Sequence, residues 1–226
     1  MDLTPEDIRA RIEKDSRSGA YNRTSELGPL KDKDWFANYD MIYASKILGI
    51  NAVYITTGKH WKTVLDIKRT SSGYQILEYD PIAGVRVYNI NKNDISKDPF
   101  ILSPGLEGKI MSRFGTPDLA PNKIINHLLD YFRENPTPKK FVEELRKRGG
   151  IQKDTYNCGP WAIIAAYERE DSRGEIMPMV EELGMDMTDE PQMDITEESR
   201  LEVEELPEDN LHKLRKDLER IFRIRR

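Results

Sequence analysis

The spacing of apolar residues predicts several helices. Residues 4–14 begin with Thr4, a candidate N-cap, and place Asp7 at the capping-box position. The stretch 34–49 carries apolar side chains three or four positions apart and ends at Gly49, a residue type common at helix C-termini. By the same criteria, helices are predicted at residues 4–14, 34–49, 121–136 and 138–150, with a buried helix over the apolar run 161–167.

Runs of β-branched residues predict strands. Residues 51–57 form one such run, and residues 59–84 contain two more around the turn sequence RTSSG. The dipeptide Asp80–Pro81 closes the second of these. Residues 89–120 show weak periodicity and many Asp, Pro and Gly residues, so we expect an irregular excursion there.

The composition changes beyond Arg169. Residues 171–210 are strongly acidic with few aromatics, which favours a mobile or loosely docked arm. The chain then turns basic, with Leu211, Leu214 and Leu218 on one face of a predicted helix. We therefore expect an N-terminal helical extension (1–30), a central domain (31–170), and the acidic arm with its C-terminal amphipathic helix (171–226).

Composition narrows the function classes. The chain has 226 residues, and its net charge of -5 indicates no basic field for nucleic acid. A single cysteine excludes an intramolecular disulfide and a cysteine-based zinc cluster. No apolar run has the length of a signal-peptide core or a membrane span. We expect a soluble, cytoplasmic protein that uses no metal or other cofactor.

The single cysteine, Cys158, lies at the edge of an apolar run rather than inside it. Pro160 suits the first turn of a helix, so Cys158 is expected at a helix N-terminus, where the backbone N–H groups favour a thiolate. Gly159 would allow a substrate backbone to approach closely. Lone cysteines are more often small buried hydrophobes, so these local features leave catalysis and packing equally open.

A thiolate nucleophile needs a base, and His60 is the best placed of the three histidines, at the start of a predicted strand. If the hairpin turns near residues 71–72, the residue numbers of two cross-strand partners sum to about 142–143. His60 then faces residue 82 or its neighbours. Asp80 then lies within two positions of His60. Asp66 lies six residues along the same strand, roughly 20 Å from His60 at about 3.3 Å per residue. Only Asp80 could orient the imidazole.

Gln152 precedes Cys158 by six residues. Its side-chain amide could stabilise a developing oxyanion together with the backbone N–H of Cys158.

This order of residues resembles the Ulp1/sentrin-specific protease family of cysteine peptidases, and CGPW at 158–161 is closest to bacterial deubiquitinase effectors. The matching motifs are WFAN (35–38), HW (60–61), EYDP (78–81) and QKDTYNCG (152–159). The chain departs from the family pattern in having Asn38 and Asn157 where aspartates are usual, and Pro81 after the aspartate.

The resemblance implies an α+β fold in which a mixed β-sheet packs against a central helix with the nucleophile at its N-terminus. It implies that residues 31–170 are a thiol-protease domain that cleaves after the terminal Gly-Gly of ubiquitin or a ubiquitin-like protein, in the host cytosol if the chain is a secreted effector. The implied catalytic residues are His60, Asp80, Gln152 and Cys158. The expected substrate-binding residues are Trp35, Trp61, Asn157 and Gly159.

Three alternatives stay open at this point. A protease specific for SUMO or NEDD8 would use the same residues. An acetyltransferase of the same clan would use the same triad with acetyl-CoA, although such relatives usually have Glu at the third position and lack the HW pair. A modifier-binding domain without catalysis is the third, against which the intact set of four residues argues.

Overall fold

The β-hairpin around residues 70–73 fixes the centre of the sheet. The computed structural model describes residues 3–23, 27–57, 60–94, 100–115 and 121–174. Their strands form one antiparallel sheet in the order β4-β3-β2-β1-β5. The strands are β1 Val53–Thr57, β2 His60–Arg69, β3 Gly73–Asp80, β4 Gly84–Asn91 and β5 Ile101–Leu102.

The predicted register of the central hairpin is confirmed. Thr63 pairs with Tyr79 and Val64 with Glu78, so residue numbers sum to 142 near the start of β2. A bulge after Val64 changes the sum to 143 toward the turn. The turn itself is closed by a hydrogen bond from Thr70 N to Gly73 O.

Helices cover both faces of this sheet, which confirms the α+β class. One face of β2 packs against α6, the helix that begins at Cys158 as predicted. The other face packs against α3 and α4 through a separate apolar core that contains Val64 and Ile76. All four strand pairings among the described residues are antiparallel, including that of β1 with β5, so the expectation of a mixed sheet is wrong in that part of the chain.

The predicted helices are present with shifted ends. The Thr4–Asp7 capping box is confirmed, with Thr4 Oγ1 accepting from Asp7 N at 3.2 Å. The second helix begins at Asn38 rather than residue 34, because Asp40 accepts a hydrogen bond from Ala37 N and caps the chain there. The helices are α1 Pro5–Ser18, α2 Asn38–Ile47, α3 Pro104–Phe114, α4 Pro121–Glu134, α5 Lys139–Arg148 and α6 Cys158–Asp171.

The expected irregular excursion over residues 89–120 is partly wrong, because β5 and α3 lie within it. Ser103 caps α3 by accepting from Leu106 N, and Pro104 occupies the first helical position. The predicted acidic arm and basic helix fall almost wholly after residue 174 and lie outside the described residues. No helix within the described ranges is long and apolar enough to cross a membrane.

The predicted N-terminal extension shares a core with the central domain. Ile8 and Ile12 of α1 are buried in the same cluster as Cys158, and α1 packs against α6 and α2. The predicted boundary at residue 30 is therefore crossed by apolar packing.

Candidate active site

The start of β2 and the start of α6 lie at the same end of the sheet. Thr63 Oγ1 donates to the carbonyl of Ala162, one turn into α6. Further along both elements, Leu65 and Ala165 share an apolar cluster. The strand and the helix therefore run in the same direction. Cys158 is consequently brought to the end of β2 at which His60 lies.

The Cys158 side chain is buried in an apolar cluster that contains an aromatic pair. It is 2% exposed and belongs to the cluster that holds Phe36 and Trp61. Trp61 Nε1 donates to Phe36 O at 2.8 Å. A Cβ on Gly159 would lie 2.7 Å from Phe36 Cβ, so packing against Phe36 already requires a glycine at this position.

The two tryptophans of the predicted substrate channel differ in exposure. Trp35 precedes α2 and is 50% exposed, whereas Trp61 is 5% exposed. Trp35 is thus accessible to a substrate. Trp61 is a core residue and belongs to the same apolar cluster as Cys158.

We expect Trp61→Ala to lower the free energy of unfolding by about 3–5 kcal/mol, as is typical for a buried Trp-to-Ala change. The comparison is Trp61→Phe, which keeps an aromatic ring but loses the hydrogen bond to Phe36 O and part of the packed volume, at about 1–3 kcal/mol. Urea denaturation monitored by circular dichroism measures both. Equal stability of the alanine variant and the wild type would show that Trp61 is not part of the core.

The residues before Cys158 form a tightly bonded turn centred on Asp154. Asp154 Oδ1 accepts from Tyr156 N at 2.9 Å and Asn157 N at 2.7 Å, and Oδ2 accepts from Asn157 Nδ2 at 3.1 Å. Burial opposes ionisation, but these N–H donors outweigh it and hold the pKa of Asp154 below its usual value. The backbone that enters α6 at Cys158 is therefore fixed.

Arg9 on α1 anchors this turn from the far end of the sequence. Its Nε donates to Asn157 Oδ1 and its Nη2 to Tyr156 O, and the guanidinium lies 4.8 Å from the Tyr156 ring centroid. Asn157 is 4% exposed and fully engaged by Arg9 and Asp154. Asn157 therefore holds the turn in this structure, and its contact with substrate stays a prediction.

Gln152 is linked to the turn that follows Asp80. Its backbone N–H donates to Pro81 O at 3.0 Å, and a Cβ on Gly150 would lie 1.8 Å from Ile82 O, so the two chain segments touch. The Gln152 amide nitrogen donates to Asp154 O at 2.8 Å. Its Oε1 is buried without a hydrogen-bond partner among the described residues.

Asp80 is buried and held from two sides. Its Oδ1 accepts from Ile82 N at 2.8 Å and Ala83 N at 3.3 Å, which gives the turn its shape. Its Oδ2 lies 3.5 Å from Lys62 Nζ. Lys62 Nζ is also 3.5 Å from Glu78 Oε1.

His60 begins β2 and shows no bond to Asp80. Its Nδ1 is buried without a hydrogen-bond partner among the described residues. Strand alternation places His60 on the same face as Lys62 and opposite to Trp61. The imidazole and Asp80 therefore share one face of the sheet, and Cys158 begins the helix on the other face at the same end.

Four residues around the site were missed by the sequence reasoning. Lys62 and Glu78 had a signal, because the predicted register places charged residues opposite Asp80 and inside strands that are otherwise apolar. No local sequence pattern marks Arg9 or Phe36, because each acts through a contact with a residue more than a hundred positions away.

No protein-family model, curated protein or solved structure matches the chain.

Proposed function

We propose that the chain is a cysteine isopeptidase that cleaves after the C-terminal Gly-Gly of ubiquitin or a ubiquitin-like modifier. One observation carries the proposal: Cys158, at a helix N-terminus, lies at the end of the sheet where His60 begins β2 and Asp80 ends β3. The family resemblance of the sequence motifs supplies the substrate class.

Unpaired buried polar atoms support a functional role for this end of the sheet. His60 Nδ1, Gln152 Oε1 and Glu78 Oε2 are buried side-chain atoms without a hydrogen-bond partner among the described residues. Folded proteins satisfy most such groups, so each one left over needs an explanation, and a catalytic role is one. His60 thus has hydrogen-bonding capacity that the resting structure does not use, whereas the donor of Gln152 that an oxyanion needs, Nε2, is bonded to Asp154 O.

The proposed reaction is an acyl transfer in two steps. The Cys158 sulfur attacks the carbonyl carbon of the terminal glycine, and His60 takes the thiol proton and gives it to the leaving lysine amine. The Cys158 backbone N–H and the Gln152 amide stabilise the oxyanion. Water then hydrolyses the thioester, releasing the modifier with a free carboxylate and regenerating the thiol.

Substrate binding has to rearrange the resting site. Cys158 is 2% exposed and begins the helix on the face opposite the His60 imidazole, Gln152 Nε2 is bonded to Asp154, and Asp80 is paired with Lys62. Trp35 precedes Phe36 in the chain and is half exposed, so an incoming Gly-Gly tail could bind there first and displace Phe36 from the cluster that buries Cys158. The exposed Trp35 ring is therefore the proposed first contact of the tail.

The test is covalent capture by modifiers that end in an electrophile. Full-length protein is incubated with electrophile-tipped ubiquitin, SUMO and NEDD8, and adducts are mapped by mass spectrometry. We expect a single adduct at Cys158 with one modifier or a subset. Pre-treatment with a thiol-alkylating reagent is the control and should block it. No adduct with any of the three would contradict the proposed function.

A further inference from the structure

Lys62 is a buried cation placed between two carboxylates. It is 8% exposed, and its Nζ lies 3.5 Å from Glu78 Oε1 and 3.5 Å from Asp80 Oδ2. The β2–β3 register creates this arrangement, since Val64 pairs with Glu78 and the same register sets Lys62 opposite Asp80. Lys62 is therefore shared between the two acids.

The environment of Glu78 disfavours its ionised form. It is 3% exposed, and its Oε2 has no hydrogen-bond partner among the described residues. Burial raises its pKa, and the nearby Asp80 carboxylate raises it further, while Lys62 and Arg86 act in the opposite direction. An acid whose pKa is raised on folding destabilises the fold where it is ionised. Glu78 thus has no evident benefit for stability.

In the proposed mechanism, His60 needs the same carboxylate that Lys62 faces. Backbone N–H groups of the turn occupy Asp80 Oδ1, and Lys62 faces Oδ2. His60, two residues before Lys62 on the same strand face, has an unpaired Nδ1. An imidazolium at His60 needs Asp80 as its partner, and a lysine wholly devoted to Asp80 would neutralise that partner.

We propose that Glu78 is a positioning residue that draws Lys62 partly away from Asp80 and so keeps Asp80 available to His60. With Glu78 ionised, Glu78, Asp80 and Lys62 together carry one net negative charge; with glutamine at position 78 they carry none. The inference rests on the proposed roles of His60, Asp80 and Cys158. It adds a residue that acts through another and does not touch substrate.

The test measures how fast iodoacetamide alkylates Cys158 in the full-length protein from pH 5 to 9, alongside hydrolysis of a Gly-Gly substrate. In Glu78→Gln, the imidazolium of the thiolate–imidazolium pair loses a stabilising negative charge. We therefore expect the rate of alkylation at pH 7 to fall about tenfold, which is the effect of one unit charge several Å away at intermediate dielectric. The acidic limb of the curve of alkylation rate against pH should move to higher pH in this variant. The double variant Lys62→Met/Glu78→Gln restores the single negative charge and should return to within about twofold of wild type.

Glu170→Gln is the matched control. Glu170 is also buried, at 2% exposure, and is also paired with a cation, Arg169, at 2.7 Å. It lies at the other end of α6, about 18 Å of helix from Cys158 at 1.5 Å per residue. Its replacement should leave Cys158 alkylation unchanged whatever it does to the melting temperature. The melting temperature of Glu78→Gln should equal or exceed that of the wild type.

Two results would overturn the inference. One is a pH profile of Cys158 alkylation in Glu78→Gln that equals that of the wild type. The other is a slower alkylation rate in Glu78→Gln that adding Lys62→Met does not restore. If the alkylation pattern is as expected but the wild type cleaves no Gly-Gly substrate, the proposed function fails and the role of Glu78 at the thiol stands. If cleavage is normal and the alkylation pattern is absent, the inference fails alone.

Discussion

Replacement of Cys158 by alanine should abolish hydrolysis of Gly-Gly substrates, with a loss on the order of 10⁶ in kcat, as for other enzymes that lose their nucleophile. No other thiol exists in the chain to take over the attack. The assay is turnover of a fluorogenic modifier substrate by the purified variant. Retained turnover would refute the assignment of Cys158 as the nucleophile.

The same variant should stay folded. Cys158 is buried in an apolar cluster, and the change to alanine removes a single heavy atom, at a cost of about 1 kcal/mol. Alanine is a better choice than serine, because a serine hydroxyl would bring a polar group into a site that is 2% exposed. Circular dichroism and a thermal melt separate loss of chemistry from loss of fold.

The sequence predicted the parts of the site that local patterns control. The turn RTSSG set the β2–β3 register, and with it the placement of Asp80 near His60 and of Asp66 far from it. Pro160 and the apolar run after it placed Cys158 at a helix N-terminus. Each of these follows from turn chemistry or periodicity over fewer than about twenty residues.

The parts that the sequence did not predict depend on distant contacts. Arg9 reaches Asn157 across 148 positions, and Phe36 fills the space that Gly159 leaves, so neither role has a local pattern. The pairing of Asp80 with Lys62 was also missed, although the register was correct, because a register gives neighbours and not the choice among competing partners. Ser103 and Pro104 did mark the start of α3, but the surrounding Asp, Pro and Gly residues outweighed that signal.

Asp80→Asn and Asp66→Asn form a matched pair for the third catalytic role. Both aspartates accept a hydrogen bond from a nearby backbone N–H, and both lie within 4 Å of a lysine Nζ. Asparagine keeps the side-chain oxygen that accepts from Ile82 N, so the turn after Asp80 should survive the change. The two substitutions therefore remove a charge each and little else.

We expect Asp80→Asn to lower kcat by as much as about 10⁴-fold, the scale seen when the orienting carboxylate of a catalytic triad is neutralised. The amide cannot stabilise the imidazolium at His60, and it removes one of the two carboxylates that lie 3.5 Å from Lys62 Nζ. Asp66→Asn should change kcat by less than about twofold, because Asp66 lies six residues along β2 from His60, roughly 20 Å away. Steady-state kinetics on a Gly-Gly substrate decide between them. Equal losses in the two variants, or a larger loss at Asp66, would mean that Asp80 does not orient His60, and the carboxylate would then have to come from elsewhere around β2.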